Sequence, residues 1–316
     1  MQDDTLIEEH RFDLTEAKQY DWLHAIDDMG EERGYFENLG EDHSAILTDA
    51  GPTLIVTFET IDTIRKGANH TPLGWSLVDG SEEGDTGWSN LCIMAHKETW
   101  FRDDAVYAYF DRLVDDGFFE EYDQVVFYGA GMCGYGAAAF SVAAPGATVI
   151  AIGAQATLDT ARAGWDRRFP EMRRADFTDR YGYAPDMIEA ADAVYLLFNP
   201  AVVDDYMHAS LFSGDNTHHI PCPRMGQYIE TELWSMGVLP GLITQAARGE
   251  LDRVSLFQAL RARRKHLPYL RVILDRINVS THPKRVAALT RYVTSHWSAP
   301  RFRRALDQAN KVLEDA

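Results

Sequence analysis

Cysteine is scarce in this chain of 316 residues: Cys92, Cys133 and Cys222 are odd in number and far apart. They make no disulfide framework, and no C-x-x-C or H-x-x-x-H spacing suggests a metal site. Long apolar runs are missing too, and no stretch approaches the length of a membrane span. The opening stretch MQDDTLIEEHRFDLTEA is acidic and has no apolar core of the kind a secretory signal needs, so a cytoplasmic location is expected. Positive charge is the third deficit. Against 49 Asp+Glu there are 30 Lys+Arg, for a net charge of -19. Such a surface repels phosphate backbones and anionic lipid heads, so neither nucleic acid nor membrane is an expected partner.

The composition does supply a core. At 46% hydrophobic residues, the chain can build one large α/β domain and an extension. Short apolar runs rich in β-branched residues predict strands at 53–58, 90–95, 125–128, 147–152 and 193–198, with a weaker one at 217–222. Between them, 103–116 places Val106, Tyr109, Phe110 and Leu113 on one helical face, and Gly117 follows as a stop. Alternating strands and helices imply a mainly parallel sheet covered on both faces. Residues 1–50 read as an acidic segment with one helix near 17–29, and 67–89 as a Gly-rich loop. After residue 247 the pattern is all helical, punctuated by Pro283 and Pro300. The expected organisation is therefore 1–50, an α/β domain at 51–247, and a helical extension at 248–316.

The most informative stretch is VVFYGAGMCGYGAAAF, 125–140. Gly129, Gly131 and Gly134 match G-x-G-x-x-G, the loop that cradles a dinucleotide pyrophosphate. That fingerprint normally opens the first βαβ unit, and an acidic residue ends the next strand. Here two strands come first, and the next strand runs on into Gly-Ala-Gln155 with no carboxylate at its end. No nucleotide cofactor is therefore expected, and a nucleotide-binding protein that uses this loop as a phosphate cradle stands as an alternative. The same residues suit the strand-to-helix elbow of an α/β-hydrolase, which needs small residues around the nucleophile because strand and helix nearly collide there. With Gly129 and Cys133 as flanks, the nucleophile slot is residue 131, a glycine.

YGAGMCGYGAAAFSVAAPGATVIAIGAQATLD resembles the Y-G-S-S-M-G-G-Y-G-A-L-A-F-S elbow segment of bacterial α/β-hydrolase-like proteins, some associated with cell-surface glycans. The resemblance extends from about residue 53 to about 251 and implies an α/β-hydrolase-like three-layer sandwich. It puts Gly131 where the family has its nucleophilic serine, Asn199 where it has its acid (Asp204 and Asp205 follow a turn later), and Gln227 where it has its histidine. The triad it implies is degenerate, leaving the amide of Met132 as an oxyanion donor. On this resemblance the chain would be a ligand-binding or weakly catalytic relative of esterases and acyltransferases. The chain also resembles proteobacterial sequences described as phosphoadenosine phosphosulfate reductases. Such a reductase has a Ser-Gly-Gly-Lys-Asp type loop and a reactive cysteine near its C-terminus, and this chain has neither.

Two other features bear on function. Cys133, in the first turn of a helix, is the alternative nucleophile; the competing reading is a compact apolar filler of the small slot. Arg162, Arg167, Arg168, Arg173 and Arg174, with Trp165, form a basic cluster in an acidic body. They would suit an anionic or glycan-derived small molecule, or else pair with Asp166, Glu171 and Asp176. From Ala247 onward, 15 Lys+Arg against 6 Asp+Glu give +9, which leaves -28 on the rest. A basic tail on an acidic body suggests self-docking, or a homo-oligomer formed through the C-terminal helices.

Overall fold

The computed structural model describes residues 18–67, 70–75 and 87–315. Eight strands form a single sheet: β1 Gly34–Leu39, β2 His43–Thr48, β3 Thr53–Thr60, β4 Trp88–Ala95, β5 Gln124–Ala130, β6 Thr148–Ile152, β7 Ala193–Phe198 and β8 Thr217–Pro221. Their spatial order is 1-2-4-3-5-6-7-8. β2 runs antiparallel to β1 and β4, and every other pairing is parallel.

The named helices are α1 Gln19–Arg33, α2 Ile61–Lys66, α3 Asp104–Asp115, α4 Met132–Phe140, α5 Thr160–Ala163, α6 Ala184–Met187, α7 Val203–Leu211, α8 Ile229–Ser235, α9 Leu239–Ala247, α10 Arg253–Ala259, α11 Leu267–Arg276, α12 Pro283–His296 and α13 Pro300–Glu314. Local chemistry sets several boundaries. Asp103 caps α3 by accepting from the amide of Ala105, and Asp252 with Ser255 closes a capping box on α10. Pro283 and Pro300, which read as breaks in the sequence, are first residues of helices, where the missing N–H costs nothing.

Alternation along the strands sorts the interior into two layers. Leu54, Val56, Phe58, Phe127, Val149 and Leu196 face α3 and α4 in one continuous cluster. On the opposite face, Ile55, Val126, Ile150, Leu197 and Ile220 meet α8, α9 and the C-terminal helices, through Leu256, Leu270, Val286 and Phe302. A separate cluster on that face joins Ile46, Cys92 and Met94 to Trp22 of α1.

All six expected strands are present, as is the helix expected at 103–116. The β1–β2 hairpin has no counterpart among the expectations and carries the sheet back into the acidic first fifty residues. β1 is a half-exposed edge strand containing Glu37 and Asn38, so it lacks an apolar signature. The expected loop at 67–89 lies largely outside the described residues. The helical extension shares one core with the strands.

Candidate functional site

This strand order, with a strand-turn-helix elbow after β5, is the α/β-hydrolase fold. Ligands in open α/β sheets bind outside the carboxyl ends of the strands, where the connections after β3, β5, β7 and β8 emerge.

Gly131 occupies the elbow at φ 60°, ψ -125°, a conformation that side chains adopt only under strain. Its N–H donates to the carbonyl of Ile152 (2.8 Å), which ties the turn to β6. A Cβ added here would meet nothing within 4 Å, so the slot is open as well as empty. The neighbouring glycines are constrained by space. A Cβ on Gly129 would lie 2.1 Å from the Cys133 carbonyl oxygen, and one on Gly136 would lie 2.5 Å from Phe58. The amide of Met132, first residue of α4, has no acceptor within the helix.

Asn199 follows β7 and is buried. Its side-chain amide donates to the carbonyl of Gly226 (2.7 Å), and its oxygen accepts from the amide of Ala201 (3.1 Å). The connection after β7 is thereby fastened to the one after β8, beside the exposed Gln227. Asp204 and Asp205 do not turn toward the elbow. Both approach Arg168, at 3.7 and 2.6 Å.

Three groups outside the expected site lie beside the elbow: Glu59 and Tyr128, both buried, and the half-buried Glu230. Glu59, next to last in β3, accepts from the Thr57 hydroxyl (2.8 Å) and from the Leu73 amide on both carboxylate oxygens (3.0 and 3.1 Å). Burial raises its pKa to about 7, against these hydrogen bonds. Tyr128 of β5 donates to Glu230 of α8, whose carboxyl is likewise raised by burial. Thr57, Glu59, Asn90 and Tyr128 form a polar seam on the face where the two smaller clusters part. The available signal was an acidic residue at the carboxyl end of an otherwise apolar strand, TLIVTFET.

Cys133 borders the same seam. Burial pushes its thiol well above the ordinary range, and the nearby carboxyls of Glu230 and Glu59 add to the effect. The macrodipole of α4 favours the thiolate, but these influences outweigh it.

The arginine cluster divides. Arg168 grips Asp166 through Nε and Nη2 (3.1 and 2.8 Å) and Asp205 through Nη1. Asp166 also meets the buried His208 Nε2 (3.0 Å), and His208 Nδ1 accepts from the Ala156 amide (3.2 Å). Burial acts to raise the Asp166 carboxyl, yet the bonds from His208 and Arg168 hold it well below the usual range. Arg162 stacks on Tyr183 with its guanidinium 3.9 Å from the ring centroid, Arg173 donates to the Gly164 carbonyl, and Trp165 lies against His208. Arg167 and Arg174 are exposed. Gln155 is buried and accepts from Trp100 Nε1 (3.1 Å).

The histidines and Cys222 do not converge. His96 bonds Ser44, His219 bonds the Ala209 carbonyl, His218 packs on Tyr195, and Cys222 bonds the Ile220 carbonyl. Among the described residues no group of three or more His, Cys, Asp or Glu is arranged to hold a metal ion. Nor is any helix among them long and apolar enough to cross a membrane.

No family model matches this chain, and no curated protein is similar to it. Solved structures with a similar fold include the carboxylesterase EstE1 from a metagenomic library (13% identity, 75% of this chain and 99% of that one, TM-score 0.39). Est1E from Butyrivibrio proteoclasticus is another (12% identity, 67% and 97%, TM-score 0.41). A third is the capsule O-acetyltransferase of Neisseria meningitidis serogroup A (10% identity, 63% and 91%, TM-score 0.38). The fold assignment rests on this chain's own strand order and elbow.

Proposed function

We infer that this chain is an α/β-hydrolase-fold protein with a degenerate triad, which binds a small molecule at the carboxyl edge of the sheet and has lost serine esterase chemistry. One observation carries the reading: Gly131 keeps the backbone of a nucleophile elbow without an Oγ. Asn199 and Gln227 stand in the places of acid and base, and an amide donating to a carbonyl oxygen cannot act as an acid partner to an imidazole. The Met132 amide at the helix start remains suited to an oxyanion or other anionic group. Exposed Arg167 and Arg174 favour an anionic or glycan-derived ligand.

The Cys133 alternative is weakened by a buried thiol beside two carboxyls. The dinucleotide alternative lacks a ribose carboxylate, and its glycine loop follows the fifth strand. The test is hydrolysis of p-nitrophenyl acetate. Wild type should match a denatured control, and Gly131→Ser alone should add little, because a serine without its base is a poor nucleophile. Gly131→Ser with Gln227→His should raise the rate modestly. Robust wild-type activity abolished by substituting a serine elsewhere would sink the reading.

A further inference from the structure

Two oppositely charged surfaces stand on opposite faces of the sheet. At the end of α3 and beyond it, Asp115, Asp116, Glu120, Glu121 and Asp123 are all exposed, and none has an ion-pair partner among the described residues. They adjoin a groove of about 460 Å³ whose lining includes Val114, Glu120, Asp123, Val142 and Pro145. Val114 and Val142 are exposed, at 49% and 37%. Apolar walls rimmed by carboxylates suit an arginine side chain, whose stem packs on the valines while its head meets the acids.

The basic surface lies on the C-terminal helices. Their apolar sides are spent on the sheet through Leu260, Leu270 and Phe302, so Arg261, Arg264, Lys265, Arg303 and Arg304 face outward. Of the tail's lysines and arginines, Arg301 alone has a carboxylate ion-pair partner among the described residues, namely Asp275. The tail cannot neutralise itself, with 15 basic residues against 6 acidic.

Within one molecule the sheet separates these surfaces. α3 packs on the face of Phe127 and Val149, and the tail packs on the face of Val126 and Ile150. Packed layers stand about 10 Å apart, so the two helical layers are roughly 20 Å from each other, beyond a Debye length of about 8 Å at physiological salt. The net charge of -19 repels a second copy at long range, but at that salt the local contact decides. We propose that the chain self-associates head to tail, with the basic outer face of the C-terminal helices of one copy seated on the Asp115–Asp123 ridge and groove of the next. The contact is heterologous, so repetition gives a closed ring or an open chain.

Sedimentation velocity at about 0.15 M and about 1 M salt tests this. Wild type should sediment at twice the monomer mass or more at about 0.15 M salt, where the long-range repulsion is screened, and return to monomer at about 1 M, where the contact itself is screened. Arg303→Glu with Arg304→Glu should be monomeric, and so should Asp115→Lys with Asp116→Lys. Mixing the two charge-reversed proteins should restore association, an outcome that misfolded variants could not produce. A wild type that stays monomeric at about 0.15 M salt overturns the proposal, and so does association that survives both reversals. A monomer that instead binds heparin through Arg303 and Arg304 also overturns it, by assigning the basic face to a polyanion.

Discussion

Asn199 gives its side-chain N–H to the carbonyl of Gly226 at 2.7 Å, joining the connections that follow β7 and β8. The bond needs an amide. Asn199→Ala should destabilise the protein by about 0.5–1.5 kcal/mol in a denaturant titration, since it removes the bond that ties the two connections together while water can reach the exposed Gly226. Asn199→Asp should be the more telling variant. Its carboxylate would face a carbonyl oxygen at neutral pH, whereas its protonated form can donate. The stability gap to wild type should therefore be wider at pH 7 than at pH 4, and a gap that does not change with pH would contradict the assigned bond.

The elbow glycines should separate by mechanism. Gly131→Ala meets no atom within 4 Å but forces a side chain into φ 60°, at a cost of about 1–3 kcal/mol. Gly136→Ala keeps a helical backbone but drives a Cβ to 2.5 Å from Phe58 and 2.8 Å from Phe101. Because both rings are packed in the core, it should cost more than Gly131→Ala in thermal unfolding.

Glu59 should make stability fall as pH rises. Its pKa goes from 4.5 to about 7 on folding, so between those values the native state binds more protons than the unfolded chain. The loss is complete above pH 7 and amounts to about 3 kcal/mol at most. Glu59→Gln imitates the protonated carboxyl and still offers an oxygen to the Leu73 amide. Urea titrations should find the variant more stable than wild type at pH 8 and equal to it near pH 4.

Cys133 should be unreactive. Iodoacetamide near neutral pH should alkylate it slowly in the native protein and quickly after denaturation, and Cys133→Ala should preserve any activity found. Fast native alkylation with loss of that activity would favour the thiol enzyme.

The parts of the fold that follow from local pattern were legible in the sequence. The run TLIVTFET declares a buried strand, and the Gly-Ala run after residue 131 declares a helix that must press close to its neighbours. The turn at Gly131 was legible as a strand-to-helix turn, because small residues at that spacing let strand and helix approach closely; the spacing by itself suited a pyrophosphate loop equally well. The Asn199–Gly226 bond and the Tyr128–Glu230 bond were not, since they span 27 and 102 residues. In the hairpin at 34–48, β1 was missed because an edge strand has no need of apolar alternation, and β2, buried along its whole length, carries only the short apolar run Ala45, Ile46 and Leu47. Arg168 drew notice as part of a basic cluster, but its partner Asp205 lies 37 residues on, and no local pattern joins them.

The sharing of one core by the strands and the last helices bears on synthesis. Ile55 leaves the ribosome early, yet the cluster that covers it includes Phe302 and Ala309 of α13. One face of the sheet can be closed once Phe212 has emerged; the other waits for that final helix. Nascent chains stalled before residue 300 should thus stay open to protease and in need of a chaperone, whereas released chains that carry α13 should become resistant.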